Sequence, residues 1–156
     1  MESDGRRRPL HLPPIAGYDT PVIVYVTVCT KNRKKILADP TIHEWLRESW
    51  QVKPAWLIGK YLIMPDHIHF FCAPDQPDGP PLEEWLKFWK SHAARHWPHP
   101  NQAPVWQRDA WDTQLRRHES YDDARAYVEM NPVRAGLVDA AEAWPYQGEL
   151  NHLRWR

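Results

Sequence analysis

Two pairs of side chains in this sequence have types and spacing that could do chemistry. His67 and His69 are separated by one residue, and Tyr127 stands four residues before Asn131. In a strand, a period of two turns both imidazoles to one face, where they can act as a pair of divalent-metal ligands. The same spacing also fits two histidines on a solvated strand face. The flanks Leu62, Ile63, Phe70 and Phe71 weigh toward a buried strand, where imidazoles need partners because unpaired polar groups are costly to bury. On a helix, Tyr127 and Asn131 share a face. A protonated phenol, with an ordinary pKa of about 10, is a poor nucleophile, and a nearby metal helps by polarising a phosphate and stabilising the leaving oxygen. Asn131 could add an oxygen ligand. The alternative makes Tyr127 a core aromatic and Asn131 a helix stop.

These residues must be held by a fold. PVIVYVTVCT, from Pro21, is dense in β-branched residues and reads as a strand with a basic exit at Lys31–Lys35. Residues 39–50 read as a helix capped by Asp39 or Thr41. AWLIGKYLIMPDHIHFFCAP reads as two strands, 55–63 and 67–73, about a turn at Met64-Pro65-Asp66. Residues 74–81 are a proline-rich loop, and 82–97 form an amphipathic helix that the prolines at 98 and 100 end. A short strand at Val105–Arg108 and a helix at 120–131, capped by Ser120, complete the order. That order, β-α-β-β-α-β and then an extra helix, predicts an α+β, ferredoxin-like split β-α-β sandwich with an antiparallel sheet. The expected organisation is a basic, proline-rich arm at 1–20, one domain at 21–150 and a short tail at 151–156.

Composition narrows the class. Apolar residues make up 42 % of 156, enough for a packed core. No run approaches the ~18 apolar residues of a membrane span, and the opening residues lack the apolar centre of an export signal. The expected location is therefore cytoplasmic, and Cys29 and Cys72, each in an apolar run, are expected as reduced, buried thiols. Twenty basic and twenty acidic residues cancel, so net charge offers no global sign of nucleic-acid binding. The basic residues are nonetheless clustered: Arg6, Arg7 and Arg8; Lys31, Arg33, Lys34 and Lys35; Arg116 and Arg117. Solvated faces look the same, but clusters brought together would form one positive surface. Nucleotide-binding glycine loops, a P-loop and a serine-hydrolase elbow are absent, and His92 and His96 read as a helix-end cluster.

Several segments, in order, resemble the single-tyrosine (HUH) transposases, specifically their REP-associated branch. YLIMPDHIHFF resembles the His-hydrophobic-His strand, AYVEMNPVRAGLV the tyrosine helix, and VIVYVTVCTKNRKKIL the first strand with its basic exit. LKFWKSHAARHW and VWQRDAWDTQLRRHE resemble the second helix and the stretch before the tyrosine helix. The resemblance runs from about Val22 to Tyr146. It implies a ferredoxin-like fold, with His67, His69 and Asn131 as metal ligands, although the third place is often Gln in the wider group. It implies Tyr127 as the nucleophile and Mg²⁺ or Mn²⁺ as the metal. The implied substrate is single-stranded DNA beside a palindromic-repeat hairpin, cut through a 5′-phosphotyrosine link with release of a 3′-hydroxyl. Arg6, Arg7, Arg8, Lys31, Arg33, Lys34, Lys35, Lys87, Lys90, Arg95, Arg116 and Arg117 are then candidate phosphate contacts. A monomer is expected, with a dimer as the alternative. Two competing readings are a hairpin-binding module that does not cut and a small structural or metal-storage domain.

Overall fold

The computed structural model describes residues 23–52, 54–115 and 118–153. Strands β1 (Ile23–Thr30), β2 (Trp56–Met64), β3 (His67–Pro74), β4 (Trp106–Leu115) and β5 (Gln147–Glu149) form one sheet in the order β4-β1-β3-β2-β5. All four pairings are antiparallel. Helices α1 (Pro40–Trp50) and α2 (Leu82–Arg95) are the crossovers of the split β-α-β pattern, followed by α3 (His118–Glu129) and a single turn, α4 (Asn131–Arg134). The ferredoxin-like α+β architecture expected from the sequence is the one observed, with β5 added at the outer edge of β2.

The strand period sorts side chains into two cores. Val24, Val26 and Val28 of β1 and Ile68, Phe70 and Cys72 of β3 face α1 and α2. There they meet Trp50, Trp85 and Trp89, and the rings of Trp50 and Trp89 cross edge to face at 5.8 Å. Each large apolar side chain buried here stabilises the fold by roughly 1.5–3 kcal/mol. On the other face a smaller core joins Ile23, Leu62, Phe71 and Ala73 to Tyr121 and Val128 of α3 and to Trp144. The added helix therefore does not join the two crossovers; it covers the opposite surface of the sheet.

Local chemistry explains the boundaries and the places where expectation and structure differ. Asp39 caps α1 by accepting from the backbone N–H of Thr41 and Ile42 at 2.7 and 3.2 Å. The strand expected to end at Arg108 runs on to Leu115, because β1 offers a full-length partner from Ile23 to Thr30. Helix α2 stops at Arg95, and buried Trp97 lies past its end, with its Nε1–H donating to the Gln102 Oε1 at 2.7 Å. Ser120 is not an N-cap, since α3 already begins at His118. Nor does α3 reach Asn131. It ends at Glu129, and Asn131 opens α4 with Pro132 in its first turn, where a missing N–H is harmless. Among the described residues, no helix is long and apolar enough to cross a membrane.

Candidate functional site

Strand β3 carries His67 and His69 on the sheet face that α3 partly covers, and their ring centroids are 4.7 Å apart. The neighbouring strand determines their surroundings. Thr27 lies opposite His69 and Cys29 opposite His67 in the β1–β3 register, so the odd-numbered residues of β1 form the floor of the site. The hydroxyls of Tyr25 and Thr27 lie 2.9 and 3.0 Å from Nδ1 of His69. The Tyr25 ring also stacks on those of His69 and Phe71. Burial pushes the Tyr25 phenol up to about 12, against a weaker lowering by its bond to Thr27, so its hydroxyl keeps its proton.

His67 has a carboxylate partner. Its Nδ1–H donates to Asp66 Oδ1 at 2.8 Å, and Asp66 Oδ2 accepts from Arg33 Nε at 3.1 Å. Burial opposes the ionised form of Asp66, but the bonds from His67 and Arg33 outweigh it and hold its pKa below the usual value. Burial also lowers the pKa of both imidazoles, that of His69 well below 6.5, and the mutual repulsion of the pair adds to the effect at His69. Both rings are thus neutral at physiological pH. Each has its Nδ1 beside a protein oxygen, which leaves Nε2 as the nitrogen for a metal. Partners of this kind orient the ring and fix its tautomer in metal sites. Neutral imidazoles held this way suit Mg²⁺ or Mn²⁺ less strongly than Zn²⁺, but accept any of them with further oxygen ligands. Among the described residues, no group of three or more His, Cys, Asp or Glu side chains could hold a metal, so further donors would have to be of another kind.

Tyr127 projects from α3 and is 65 % exposed. The core aromatic of this helix is Tyr121, 5 % exposed, its ring 5.3 Å from that of Phe71. Tyr127 stands on α3, whose Tyr121 and Val128 pack with Phe71 on the odd-numbered face of β3, so nucleophile candidate and histidine pair lie on one side of the sheet. Helix α3 is fastened on that side by Arg125, which reaches Glu149 at 3.4 Å, and by Glu129, 3.7 Å from Lys60. Asn131 follows on α4, where its Oδ1 accepts a hydrogen bond from Arg134 at 2.9 Å. The Arg134 guanidinium also lies over the Tyr127 ring, 3.9 Å from its centroid. Sequence reasoning passed over Arg134, Asp66, Tyr25 and Thr27. Arg134 stands beyond the proline that marks a helix end, and the others meet the histidines through a turn or across strands.

The basic residues separate by environment. Lys31 and Lys35 are exposed, and Arg33 is 55 % exposed beside His67. Lys34 is tied inward, its Nζ donating to the carbonyls of Gln102 and Pro104 at 2.6 and 2.8 Å. Lys90 donates to the carbonyls of Gln107 and Arg108, and burial lowers its pKa. Lys87 and Lys90 line a groove of about 290 Å³ that also holds Glu83 and Asp109, so its charge is mixed. Arg95 carries a long contact of 3.5 Å to the Ser91 hydroxyl. Arg6, Arg7, Arg8, Arg116 and Arg117 lie outside the described residues.

No family model matches the chain. Among curated proteins, it is 26 % identical over 96 residues to a candidate REP-associated tyrosine transposase of Haemophilus influenzae, covering 54 % of this chain and 53 % of that protein. It is 25 % identical over 127 residues to the REP-associated tyrosine transposase of Escherichia coli, covering 78 % of this chain and 73 % of that protein. The first match thus spans about half of its relative's length. Among solved structures, a REP-associated tyrosine transposase bound to a REP hairpin superposes with a TM-score of 0.71 at 19 % identity, covering 90 % of this chain and 82 % of that one. A candidate transposase from Deinococcus radiodurans gives 0.52 at 17 % identity, covering 76 % and 96 %. At these identities the structural likeness shows the fold. The curated relatives show that the sequence resembles REP-associated tyrosine transposases.

Proposed function

We propose that this chain is a DNA strand transferase that cuts single-stranded DNA beside a palindromic-repeat hairpin, with Tyr127 as the nucleophile and His67 and His69 as metal ligands. The observation that carries this reading is the exposure of Tyr127 on the helix that covers the sheet face holding the paired imidazoles. A tyrosine serving only the core would be covered, as Tyr121 is.

In the reaction, the Tyr127 Oη attacks phosphorus, the P–O3′ bond breaks, and the phenolic proton is lost as the released 3′-oxygen gains one. One phosphodiester replaces another, so no nucleotide cofactor is required. A divalent metal bound by Nε2 of His67 and His69 would polarise the phosphate and stabilise the departing oxygen. Asn131 would supply an oxygen ligand once its Oδ1 is released from Arg134. Tyr25, Thr27 and Asp66 hold the two rings, and Arg33 adds positive charge at the rim. Lys31, Arg33 and Lys35 form the exposed part of the DNA footprint, with the arm at 1–20 and Arg116–Arg117 as further contacts. Lys34 and Lys90 instead tie their segments to the carbonyls of Gln102 and Pro104 and of Gln107 and Arg108. Residues 21–150 act as one domain, in the cytoplasm, as a monomer.

The engagement of Asn131 by Arg134 favours one second reading, a hairpin-binding module that does not cut. One experiment separates the two. The protein is incubated with Mn²⁺ and a REP hairpin carrying a single-stranded flank, and covalent adduct is read on a denaturing gel. We expect an adduct from the wild type and none from Tyr127→Phe, with hairpin affinity retained. An adduct that survives Tyr127→Phe, or a wild type that binds hairpin yet forms no adduct with any divalent metal, overturns the cutting reading.

A further inference from the structure

Arg134 is placed where a phosphate would have to come. Its guanidinium face covers the Tyr127 ring at 3.9 Å, and one of its nitrogens donates to Asn131 Oδ1 at 2.9 Å. A guanidinium has five N–H donors in a planar fork. Stacking occupies the face and leaves the edge, and the edge is the part that binds phosphate oxygens in pairs. Among the described residues no carboxylate pairs with Arg134, whereas Arg33, on the His67 side, is ion-paired with Asp66 at 3.1 Å. Arg134 is exposed, and its stack on Tyr127 puts it on the sheet face that α3 covers, the face of the imidazole pair. An exposed Arg–Asn hydrogen bond contributes little to folding. An unpaired cation fixed by an aromatic stack beside a proposed nucleophile is a ready anion site.

We propose that Arg134 binds the phosphate that Tyr127 attacks, through the N–H edge its stack leaves open, and that the same stack seats the phenol beside that phosphate. This rests on the reading of Tyr127 as the nucleophile. It adds a substrate-binding residue that lies on α4, outside the tyrosine helix.

The test uses binding, so it does not depend on turnover. In the Tyr127→Phe protein, which keeps the stacking ring, affinity is measured for a REP hairpin alone and for the same hairpin with a single-stranded flank crossing the cutting position. Adding Arg134→Ala should weaken binding of the flanked DNA about tenfold, as expected for loss of a charged hydrogen-bonding contact, and leave the bare hairpin unchanged. Arg134→Lys, which keeps the charge and loses the fork, should fall between. The slope of log affinity against log salt for the flanked DNA should drop by about one phosphate contact. A merely structural arginine would weaken both DNAs alike, and that result, or no loss on either, overturns the proposal. If the wild type forms no adduct while Arg134 still discriminates between the two DNAs, the cutting reading fails and the phosphate site stands. A parent protein with no affinity for either DNA overturns both.

Discussion

The two hydroxyls on His69 allow a quantitative test of how the metal-facing imidazole is held. Tyr25 and Thr27 both reach Nδ1, at 2.9 and 3.0 Å, in a part-buried setting. Tyr25→Phe keeps the ring that stacks on His69 and Phe71, and Thr27→Val keeps the shape of the side chain, so each removes an oxygen and little else. A net hydrogen bond contributes about 1 kcal/mol, and each single variant leaves the other hydroxyl to satisfy Nδ1. The double variant leaves the nitrogen with neither, which adds the cost of an unsatisfied group, about 1–3 kcal/mol. The loss in the double variant should therefore exceed the sum of the singles by about 1 kcal/mol or more, roughly fivefold or more as an equilibrium constant. Urea unfolding of the four proteins measures the cycle in stability, and Mn²⁺ titration by calorimetry measures it in metal affinity, where loss of such a partner typically costs 10–100-fold. Additive losses would show that the two hydroxyls do not share one nitrogen in the working protein. They would refute the claim that His69 is oriented by a redundant pair.

Two further outcomes concern stability. Burial, reinforced by Arg47, lowers the pKa of His43, whose Nε2 lies 2.6 Å from the Tyr61 hydroxyl. The unfolded chain therefore binds more protons there, so this contribution is present above the ordinary value of 6.5 and is lost as pH falls below it. His43→Gln should flatten the decline between pH 8 and pH 5.5 in denaturant titrations, and an unchanged slope would rule the contribution out. In Gly148→Ala, the new methyl would meet the Tyr61 hydroxyl at 2.7 Å and its ring at 3.0 Å. Crowding of a packed site should cost about 1–3 kcal/mol, read as a lower urea midpoint, and a neutral result would mean that β5 can shift away from β2.

What was legible in the sequence followed the strength of the hydrophobic pattern. β1, β2 and β3 are dense in β-branched and aromatic residues because each is buried over much of its length. The far half of β4 carries little apolar signal, since it is an edge strand in which only Ala110 is fully buried. β5 is three residues long and is held by its pairing with β2 and by nearby anchors such as the Trp144 Nε1–H bond to the Ile63 carbonyl, none of which is a local property. The same distinction applies at the site. The spacing of His67 and His69 is a local signal with a fixed geometric meaning in a strand. Spacing also paired Tyr127 with Asn131, but a helix break intervenes, and the link between them runs through Arg134. Tyr121 and Tyr127 share a helix and look alike in sequence; only the packing of α3 on Phe71 tells the covered ring from the exposed one.

The two-sided sheet has a consequence for how substitutions will behave. Along β1, Val24, Val26 and Val28 point into the tryptophan-rich core, while Tyr25, Thr27 and Cys29 point to the floor beneath the imidazoles. Along β3, Ile68 and Phe70 alternate in the same way with His67 and His69. An alanine scan of either strand should therefore read out as a two-stroke pattern. Even positions should report on melting temperature alone, and odd positions near the histidines on DNA processing as well as stability, with one peptide unit separating the two phenotypes. Selection on the packing of the tryptophan-rich core can then proceed along the same strand with little interference with the site.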